Sequence, residues 1–347
     1  MHQSLMLTAA EILQIDFQNP EKIFSLDNFT KEFFRLRKQW HPDYNDDPKA
    51  NEVFQHLMLM SETAKARIVS NTWNGKAALQ YTKTADDKTF RFKYTSLREF
   101  ELGKMYIGKH HVIYVIDPKN KDLFDNGVKA IRGIKYKEKK FENQFRPLLP
   151  KIIQASETDI GYVLVLDKPK KAVLLQDLID FLPNNTLPPK HTAWVLSSMY
   201  NIAMFLNHLG LAHNSILAST IFVDPSEHTC YLLGGWWYSV KENTKLKAIP
   251  SELIKILPKK LFADKIAKTC YDSQAIKAVA INCLGDSTLG GSKLLFNKDI
   301  PKQIVNWIRT PASESTLKEY EGWITTLENS YGERKFTKFT TDISQIL

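Results

Sequence analysis

The tripeptide His41-Pro42-Asp43 is the first group of residues in the chain whose types and order suggest a specific interaction. It places an imidazole and a carboxylate on either side of a proline, which stiffens the loop backbone. Asp43 can accept hydrogen bonds or pair with an arginine of another protein. An exposed charged loop of this kind is suited to docking on a partner surface of complementary charge.

Two amphipathic helices are predicted to position this tripeptide. The first runs from about Asn28 to Trp40 and the second from about Lys49 to Val69. The segment between them, HPDYNDDPKAN, is dense in turn residues and is predicted to be a loop. Two such helices joined by a tight loop form an antiparallel helical hairpin. The first helix has an apolar face and a basic face, made by Phe29, Phe33, Leu36 and Trp40 and by Lys31, Arg35 and Lys38.

This arrangement resembles the J domain of DnaJ-type co-chaperones over about residues 5–69. The resemblance implies that the tripeptide stimulates ATP hydrolysis by a DnaK-type chaperone. The sequence departs from the family in MLMSETAK, where an Ala-Tyr pair is usual, and in its net acidic charge. The alternative is a helical hairpin whose His41 only caps its helix. The residues predicted to bind the chaperone are His41, Pro42, Asp43, Lys31, Arg35, Arg37 and Lys38.

From Thr89 onward, the spacing of apolar residues changes from that of helices to that of strands. We expect a J domain at 1–70, a linker at 71–88 and a second domain at 89–347. From Thr89 the strand patterns are FRFKY, MYIGKHHVIYVI with a turn near Gly108, and GVKAI. A basic helix YKEKKFENQF, a strand GYVLVLD and a short helix LLQDLIDFLP follow, and from Pro189 the chain is mostly helical around two short strands that flank DPSEH. The predicted fold is therefore multidomain, with an all-α J domain before an α+β two-lobed domain.

This order of elements resembles the protein-kinase-like fold, with a small lobe at about 89–167 and a large helical lobe at about 172–347. The resemblance implies that Lys129, on a strand at 127–132, would hold ATP phosphates together with Glu138 or Glu142. The strand Tyr162–Leu166 followed by Asp167 would receive adenine. Lys129 has two interpretations, an anion-binding residue or a structural one, and the structural interpretation is favoured.

The positions where kinases have their catalytic base and metal-binding residues hold other residue types in this sequence. If His213 aligns with the histidine of the kinase catalytic loop, the catalytic base falls on Ser215 and a metal-binding asparagine on Thr220. Serine, threonine and glycine are poor at orienting a nucleophile or holding Mg²⁺. The predicted degenerate kinase positions are Lys129, Glu138, Glu142, Ser215, Thr220, Gly234, Gly235 and Trp236, the last three standing where Asp-Phe-Gly is expected.

Asp272 is the one kinase residue that the sequence retains. It stands where kinases keep an aspartate in the central helix of the large lobe, and the resemblance implies that it supports the catalytic-loop backbone. A scaffold residue kept beside lost chemistry predicts a pseudokinase with no catalytic residue, no metal and no cofactor. The second domain is then expected to bind a client or an assembly partner.

Cysteine and histidine suggest no further chemistry. Cys230, Cys270 and Cys283 are too far apart for a disulfide scaffold or a cysteine-rich zinc site. His110 and His111 are adjacent on a predicted strand, so their side chains point to opposite faces. We interpret the pair as a solvated hairpin tip.

A basic stretch follows the strand region. It leaves nucleic-acid binding open, because phosphates attract such patches. No RNP-like aromatic strand, zinc finger or helix-turn-helix accompanies it, so a solvated helix face is favoured. Its members are Arg132, Lys135, Lys137, Lys139, Lys140, Arg146 and Lys151, with Lys168, Lys170 and Lys171 after the next strand.

Composition limits the remaining classes. The 347 residues carry a net charge of +9, and residues 1–70 have 8 Lys and Arg against 10 Asp and Glu, so the rest carries +11. The longest apolar runs are of strand length, so no membrane span and no secretory signal are predicted, and a cytoplasmic location is expected. The predicted function is a non-enzymatic J-domain co-chaperone. The alternatives are an atypical kinase or nucleotide-dependent transferase with displaced residues and a nucleic-acid-binding adaptor.

Overall fold

The computed structural model describes residues 7–17, 19–26, 28–69, 73, 78–257, 263–333 and 335–347. The chain divides into two compact units, which are described separately below. The smaller unit contains the described residues of 1–80 together with 90–98 and 106–108, and the larger unit contains 81–89, 99–105 and the described residues from 109 onward.

The smaller unit is built on three helices, α1 (Ala9–Gln14), α2 (Phe29–Gln39) and α3 (Ala50–Val69). The last two confirm the predicted helical hairpin to within one residue at each end. Apolar residues at helical spacing face each other and are buried, because that spacing puts them on one stripe of each helix. This core includes Phe29, Phe33 and Leu36 of α2 and Val53, Leu57 and Met60 of α3.

Strands and helices then alternate with the predicted order in most places. The strands are β1 (Ala78–Thr82), β2 (Thr89–Lys93), β3 (Ser96–Phe100), β4 (Gly103–Ile107), β5 (His111–Ile116), β6 (Ile152–Thr158), β7 (Gly161–Asp167), β8 (Val173–Leu174), β9 (Leu211–Ala212), β10 (Ile221–Asp224), β11 (Thr229–Leu232) and β12 (Val240–Lys241). The helices are α4 (Lys121–Arg132), α5 (Lys139–Phe145), α6 (Leu175–Phe181), α7 (Pro189–His208), α8 (Ser251–Ile256), α9 (Cys270–Cys283), α10 (Lys302–Arg309) and α11 (Thr316–Tyr331).

The main sheet has the strand order β3-β4-β5-β7-β6. Its strand β5 pairs antiparallel with β7, and Tyr114 lies opposite Leu164. A smaller antiparallel sheet has the order β11-β10-β8. The larger unit is therefore an α+β structure with a strand-rich part followed by a helical part, as the sequence predicted.

The prediction that 127–132 form a strand is wrong, because these residues are the end of helix α4. Leu123, Phe124, Gly127 and Ile131 are buried and share one helical face. A short apolar run such as GVKAI fits either period, and only the longer pattern that begins at Leu123 distinguishes them. Lys129 consequently lies on the exposed side of a helix.

Part of the predicted linker, 71–88, is also ordered into a strand. Residues 78–82 form β1, and the sheet of β1 and β2 follows as a hairpin. The alternation in ALQYT is typical of a strand. Residues 71–72 and 74–77 of that linker lie outside the described residues. Within the described part of the chain, no helix is both long and apolar enough to cross a bilayer.

Candidate functional site

The loop between α2 and α3 holds the tripeptide His41-Pro42-Asp43. The His41 side chain is 32% exposed and the Asp43 side chain 74%. The backbone N–H of Asp43 donates to Nδ1 of His41 at 3.2 Å. The His41 ring also contacts Phe54 edge-on at 5.1 Å and lies 5.5 Å from the ring of Tyr44. His41 therefore packs on α3 more than the sequence suggested, while Asp43 projects into solvent.

Local hydrogen bonds shape this loop without using the tripeptide's carboxylate. The Asn45 side-chain amide donates to the carbonyl of Gln39, and its oxygen accepts the N–H of Asp47. The Asp47 carboxylate accepts the N–H of Lys49 at 2.8 Å. Short polar side chains that bind nearby backbone in this way fix turns. The loop is thus a defined structure that leaves Asp43 available to a partner.

The predicted basic face of α2 is exposed. The positions that the sequence assigned to chaperone binding lie on the surface of this helix, away from its buried aromatic face. Long side chains of this kind keep their charges in water while the helix packs on its other side. These residues are Lys31, Arg35, Arg37 and Lys38.

In the larger unit, Asp272 anchors the loop that follows β9. The N–H of His213 donates to Oδ2 of Asp272 at 2.8 Å, and the N–H of Asn214 donates to Oδ1 at 2.8 Å. This is the backbone-supporting role predicted for Asp272. The carboxylate is fully buried, and burial raises its pKa to about 7 although the two N–H donors lower it.

His213 lies beneath this loop. Its ring is buried and meets the Trp236 ring edge-on at 4.9 Å. Burial lowers the pKa of His213 to about 3, so the ring is neutral at pH 7. The Gly234 backbone partly offsets this effect of burial on the pKa of His213. A buried neutral imidazole in this position packs the loop.

The predicted degenerate positions Ser215 and Thr220 serve the loop itself. The Thr220 hydroxyl donates to the carbonyl of Ser215 at 2.7 Å and accepts the N–H of Leu217 at 3.0 Å. Its hydrogen-bonding capacity is therefore used inside the loop. Neither residue presents a charged ligand to a metal ion.

The segment at Gly234 has no space for the side chain that kinase chemistry needs. A Cβ at residue 234 would lie 2.7 Å from the hydroxyl oxygen of Tyr114 and 3.1 Å from Cα of Thr220. Gly235 has φ of +81°, and a Cβ there would lie 2.7 Å from the side chain of Ser215. An aspartate that held Mg²⁺ from position 234 would clash with Tyr114.

Three aromatic side chains fill the space between the main sheet and segment 236–238. We call Phe100, Tyr114 and Trp237 the aromatic plug. The Trp237 ring stacks on Phe100 at 5.2 Å and meets Tyr114 at 4.9 Å. Tyr114 is 2% exposed and Trp237 3% exposed, and both rings are in contact with each other rather than with open space. The site is a packed core at this point.

Helix α4 closes this core from the other side. A Cβ at Gly127 would lie 3.1 Å from the backbone nitrogen of Trp237, so a larger residue would push the two segments apart slightly. The Asn126 amide donates to the carbonyls of Trp237 and Ser239, both at 2.9 Å. The plug is thus fixed by backbone contacts as well as by ring packing.

The predicted Lys129–glutamate pair does not exist. Lys129 is exposed on α4, and Glu142 pairs instead with Lys139 at 3.0 Å and with Arg146 at 2.7 Å. Glu138 is exposed and precedes the first residue of α5. The cause is the misassigned strand at 127–132, which placed Lys129 on the wrong element.

Sequence reasoning missed Tyr114, which is buried on β5. Its hydroxyl has no hydrogen-bond partner among the described residues and lies close to the position that a Cβ of residue 234 would take. A tyrosine within the apolar run VIYVI is the signal in the sequence that could have pointed to it.

The described residues form no metal-binding cluster, and the cysteines are buried. Among the described residues, no group of three His, Cys, Asp or Glu side chains is arranged to bind a metal ion. The rings of His110 and His111 are 6.5 Å apart with planes at 76°, and His110 is exposed. The three cysteines are free and buried, and burial raises the pKa of Cys230 to about 12.

Comparison with known proteins adds one structural likeness. No protein-family model and no curated protein matches the sequence. A solved structure titled "Structure of vaccinia related kinase 3" is 15% identical, and the match covers 73% of this chain and 90% of that chain with a TM-score of 0.48. At that score the likeness adds no functional argument to the geometry above.

Crowding at Gly234 can be tested with a double-mutant cycle. Gly234→Ala should lower the free energy of unfolding by about 1–3 kcal/mol, because its Cβ overlaps the Tyr114 hydroxyl. Tyr114→Phe should be close to neutral, because the buried hydroxyl has no partner among the described residues. Urea denaturation should show that the double variant recovers part of the loss, a coupling of at least about 0.5 kcal/mol.

Gly290→Ala is the control for that cycle, because its Cβ would meet nothing closer than 3.6 Å. It should not couple to Tyr114→Phe. Additive effects of Gly234→Ala and Tyr114→Phe would show that the hydroxyl does not occupy this space.

The buried His213 predicts a loss of stability in acid. Its native pKa of about 3 lies below its ordinary value of 6.5, so the unfolded chain binds a proton between these values that the native state does not. The contribution of His213 to the free energy of unfolding should therefore fall as pH falls below 6.5, by about 1.4 kcal/mol per pH unit at most. The difference in unfolding free energy between wild type and His213→Leu, measured from about pH 7 to about pH 4, reports this contribution.

His110→Leu is the matched control, because His110 is exposed. The wild type and His110→Leu should keep parallel pH profiles. If His213→Leu also ran parallel to the wild type, the imidazole would titrate normally in the native state.

Proposed function

We propose that this protein is a J-domain co-chaperone whose larger unit is a pseudokinase-like binding module. The observation that supports the first part is the exposed Asp43 in a defined loop between two antiparallel helices, beside a helix that exposes four basic side chains. The observation that supports the second is the packed segment at Gly234, where a side chain would meet Tyr114 and Thr220.

The small unit would act on a DnaK-type chaperone. The cations of α2 would dock on an acidic surface of that chaperone, and exposed charges of this kind mainly speed association. Asp43 would then accept hydrogen bonds from an arginine or backbone groups of the chaperone. Pro42 limits the backbone freedom that binding must remove.

The larger unit would bind the client or assembly partner on which the stimulated chaperone acts. A packed aromatic core gives a rigid scaffold without catalytic turnover, and its net positive charge suits an acidic partner. Ser215, Thr220 and Gly234 argue against the atypical-kinase alternative, because none of them offers a carboxylate to Mg²⁺.

The tripeptide is tested by His41→Gln in the full chain. We expect the variant to lose stimulation of a purified DnaK-type ATPase, measured as the single-turnover rate of ATP hydrolysis. The glutamine oxygen can still accept the N–H of Asp43, so the loop should keep its shape. Loss of the ring contact with Phe54 should cost less than about 1.5 kcal/mol of unfolding free energy.

His110→Gln, an exposed histidine of the larger unit, should stimulate like the wild type. Stimulation by His41→Gln at the wild-type rate, or no stimulation by the wild type, would contradict the co-chaperone proposal.

The proposed absence of kinase activity is tested by adding ATP to the full chain. We expect the melting temperature of the full chain to be the same with ATP, with ATP and Mg²⁺, and with neither. A ligand that binds only the native state raises the melting temperature. We expect no shift because we expect no nucleotide to bind. Radiolabelled ATP should transfer no phosphate to the chain or to a generic protein substrate, with an active kinase as the assay control. A Mg²⁺-dependent shift or labelled product would favour the atypical kinase.

A further inference from the structure

A groove of about 830 Å³ lies in the larger unit between the end of α4, segment 146–155 and segment 167–169. None of its lining residues belongs to the aromatic plug, and one of them, Asp167, follows the strand that the kinase resemblance implied would receive adenine. Four cationic residues line it, and Asp167 is the one acidic residue among the residues that line it. The cations are Arg132, Arg146, Lys151 and Lys168.

These cations belong to the basic stretch that the sequence suggested was a solvated helix face. In the structure, the end of α4, segment 146–155 and segment 167–169 bring them to one groove. Lys151 pairs loosely with Asp167 at 3.7 Å, and Arg146 pairs with Glu142. Arg132 is exposed and has no ion-pair partner within the described part of the chain. The groove therefore keeps an excess of positive charge after these pairs are counted.

Lys168 contributes to the structure of the groove rather than to its open surface. It is buried, and its ammonium donates to the carbonyl of Ala172 at 2.6 Å. Burial lowers the pKa of Lys168 to about 8. The charges that face a ligand are thus those of Arg132, Arg146 and Lys151.

The groove is also apolar. Ile131, Leu149 and Leu233 line it as buried side chains, and Ile153 is 49% exposed in it. An exposed isoleucine beside an apolar surface is a contact that a partner can cover. The lining therefore combines apolar surface with a cationic rim, which is the pattern of a peptide-binding site.

The wall of the groove is held in place before any partner binds. The Tyr136 ring stacks on Phe205 of α7 at 5.6 Å, and the Phe145 ring stacks on Phe205 at 4.3 Å. The Arg146 guanidinium lies over the Tyr136 ring at 5.6 Å. A preformed groove loses less conformational entropy when a ligand binds.

We propose that this groove binds an acidic peptide segment that carries apolar side chains. Carboxylates of the peptide would pair with Arg132, Arg146 and Lys151, and its apolar side chains would cover Ile153. This names the site and chemistry of the partner that the proposed function assigns to the larger unit, and it rests on that function. Nucleic acid fits the groove less well, because single strands bind by stacking bases on open aromatic faces. Tyr136, the aromatic residue that lines the groove, is already in contact with Phe205 and Arg146.

The test uses the full chain and a phage-displayed library of random peptides. We expect the peptides enriched on the wild type to combine Asp or Glu with Leu, Ile or Phe. The most enriched one is then labelled with fluorescein and its affinity is measured by anisotropy. The double variant Arg132→Glu with Ile153→Asp should weaken its binding by about tenfold or more.

The matched control places the same changes outside the groove. Lys129 and Ile254 are exposed residues of the larger unit that do not line it. The double variant Lys129→Glu with Ile254→Asp should bind the peptide within about twofold of the wild type.

Four results would overturn the proposal. These are no enrichment above the blank support, enrichment of neutral or basic peptides, equal binding by the groove variant, and tighter binding of poly(U) or poly(dT) with the same loss in the groove variant. The last would make the groove a nucleic-acid site.

The same proteins separate this proposal from the co-chaperone function. The groove variant should stimulate the DnaK-type ATPase like the wild type, and His41→Gln should bind the peptide like the wild type. Peptide binding without stimulation by any protein would reject the co-chaperone function and keep the groove. Stimulation without peptide binding would reject the groove and keep the co-chaperone function.

Discussion

The larger unit depends on one buried carboxylate, that of Asp272. Its two oxygens accept the N–H groups of His213 and Asn214, which are the first residues of the loop that leads to β10. A buried backbone N–H without a partner is costly, so these bonds fix the course of the loop. The Asn214 side chain then donates to the carbonyls of Ala212 and Tyr238, which joins the loop to the segment after the plug.

Near this anchor, ring contacts connect the sheet to the segment that follows Gly235. Phe100, Tyr114 and Trp237 pack on one another. Large aromatic side chains stabilise a core by burial and by edge-to-face or stacked contact. The Asn126 amide of α4 adds hydrogen bonds to the carbonyls of Trp237 and Ser239. The sheet, α4 and segment 236–239 are therefore joined by both packing and hydrogen bonds.

Net charge is unevenly distributed along the sequence. Residues 1–70 have a net charge of −2, while the rest of the chain carries +11. In the smaller unit, four exposed cations lie on α2, whose other face packs in an aromatic core. In the larger unit, cations of 132–151 and 168 line a groove whose wall is packed on α7. Binding through two separate basic surfaces agrees with a protein that holds two different partners.

The sequence by itself determined the features whose evidence is local. The hairpin of α2 and α3 follows from helical spacing of Phe29, Phe33 and Leu36 and from a turn-rich loop. The position of Asp272 beneath a loop was expected from an order of elements that resembles the protein-kinase-like fold. Periodicity could not decide residues 127–132, because a short apolar run fits a strand or a helix. The burial of Leu123, Phe124 and Ile131 against other elements made that segment a helix and moved Lys129 to the surface. The plug and the groove were decided by tertiary structure. The plug joins Phe100 and Tyr114 to Trp237, and the groove joins segment 131–155 to segment 167–169 and to Leu233. Only packing brings the Tyr114 hydroxyl against Gly234 and Lys151 close to Asp167.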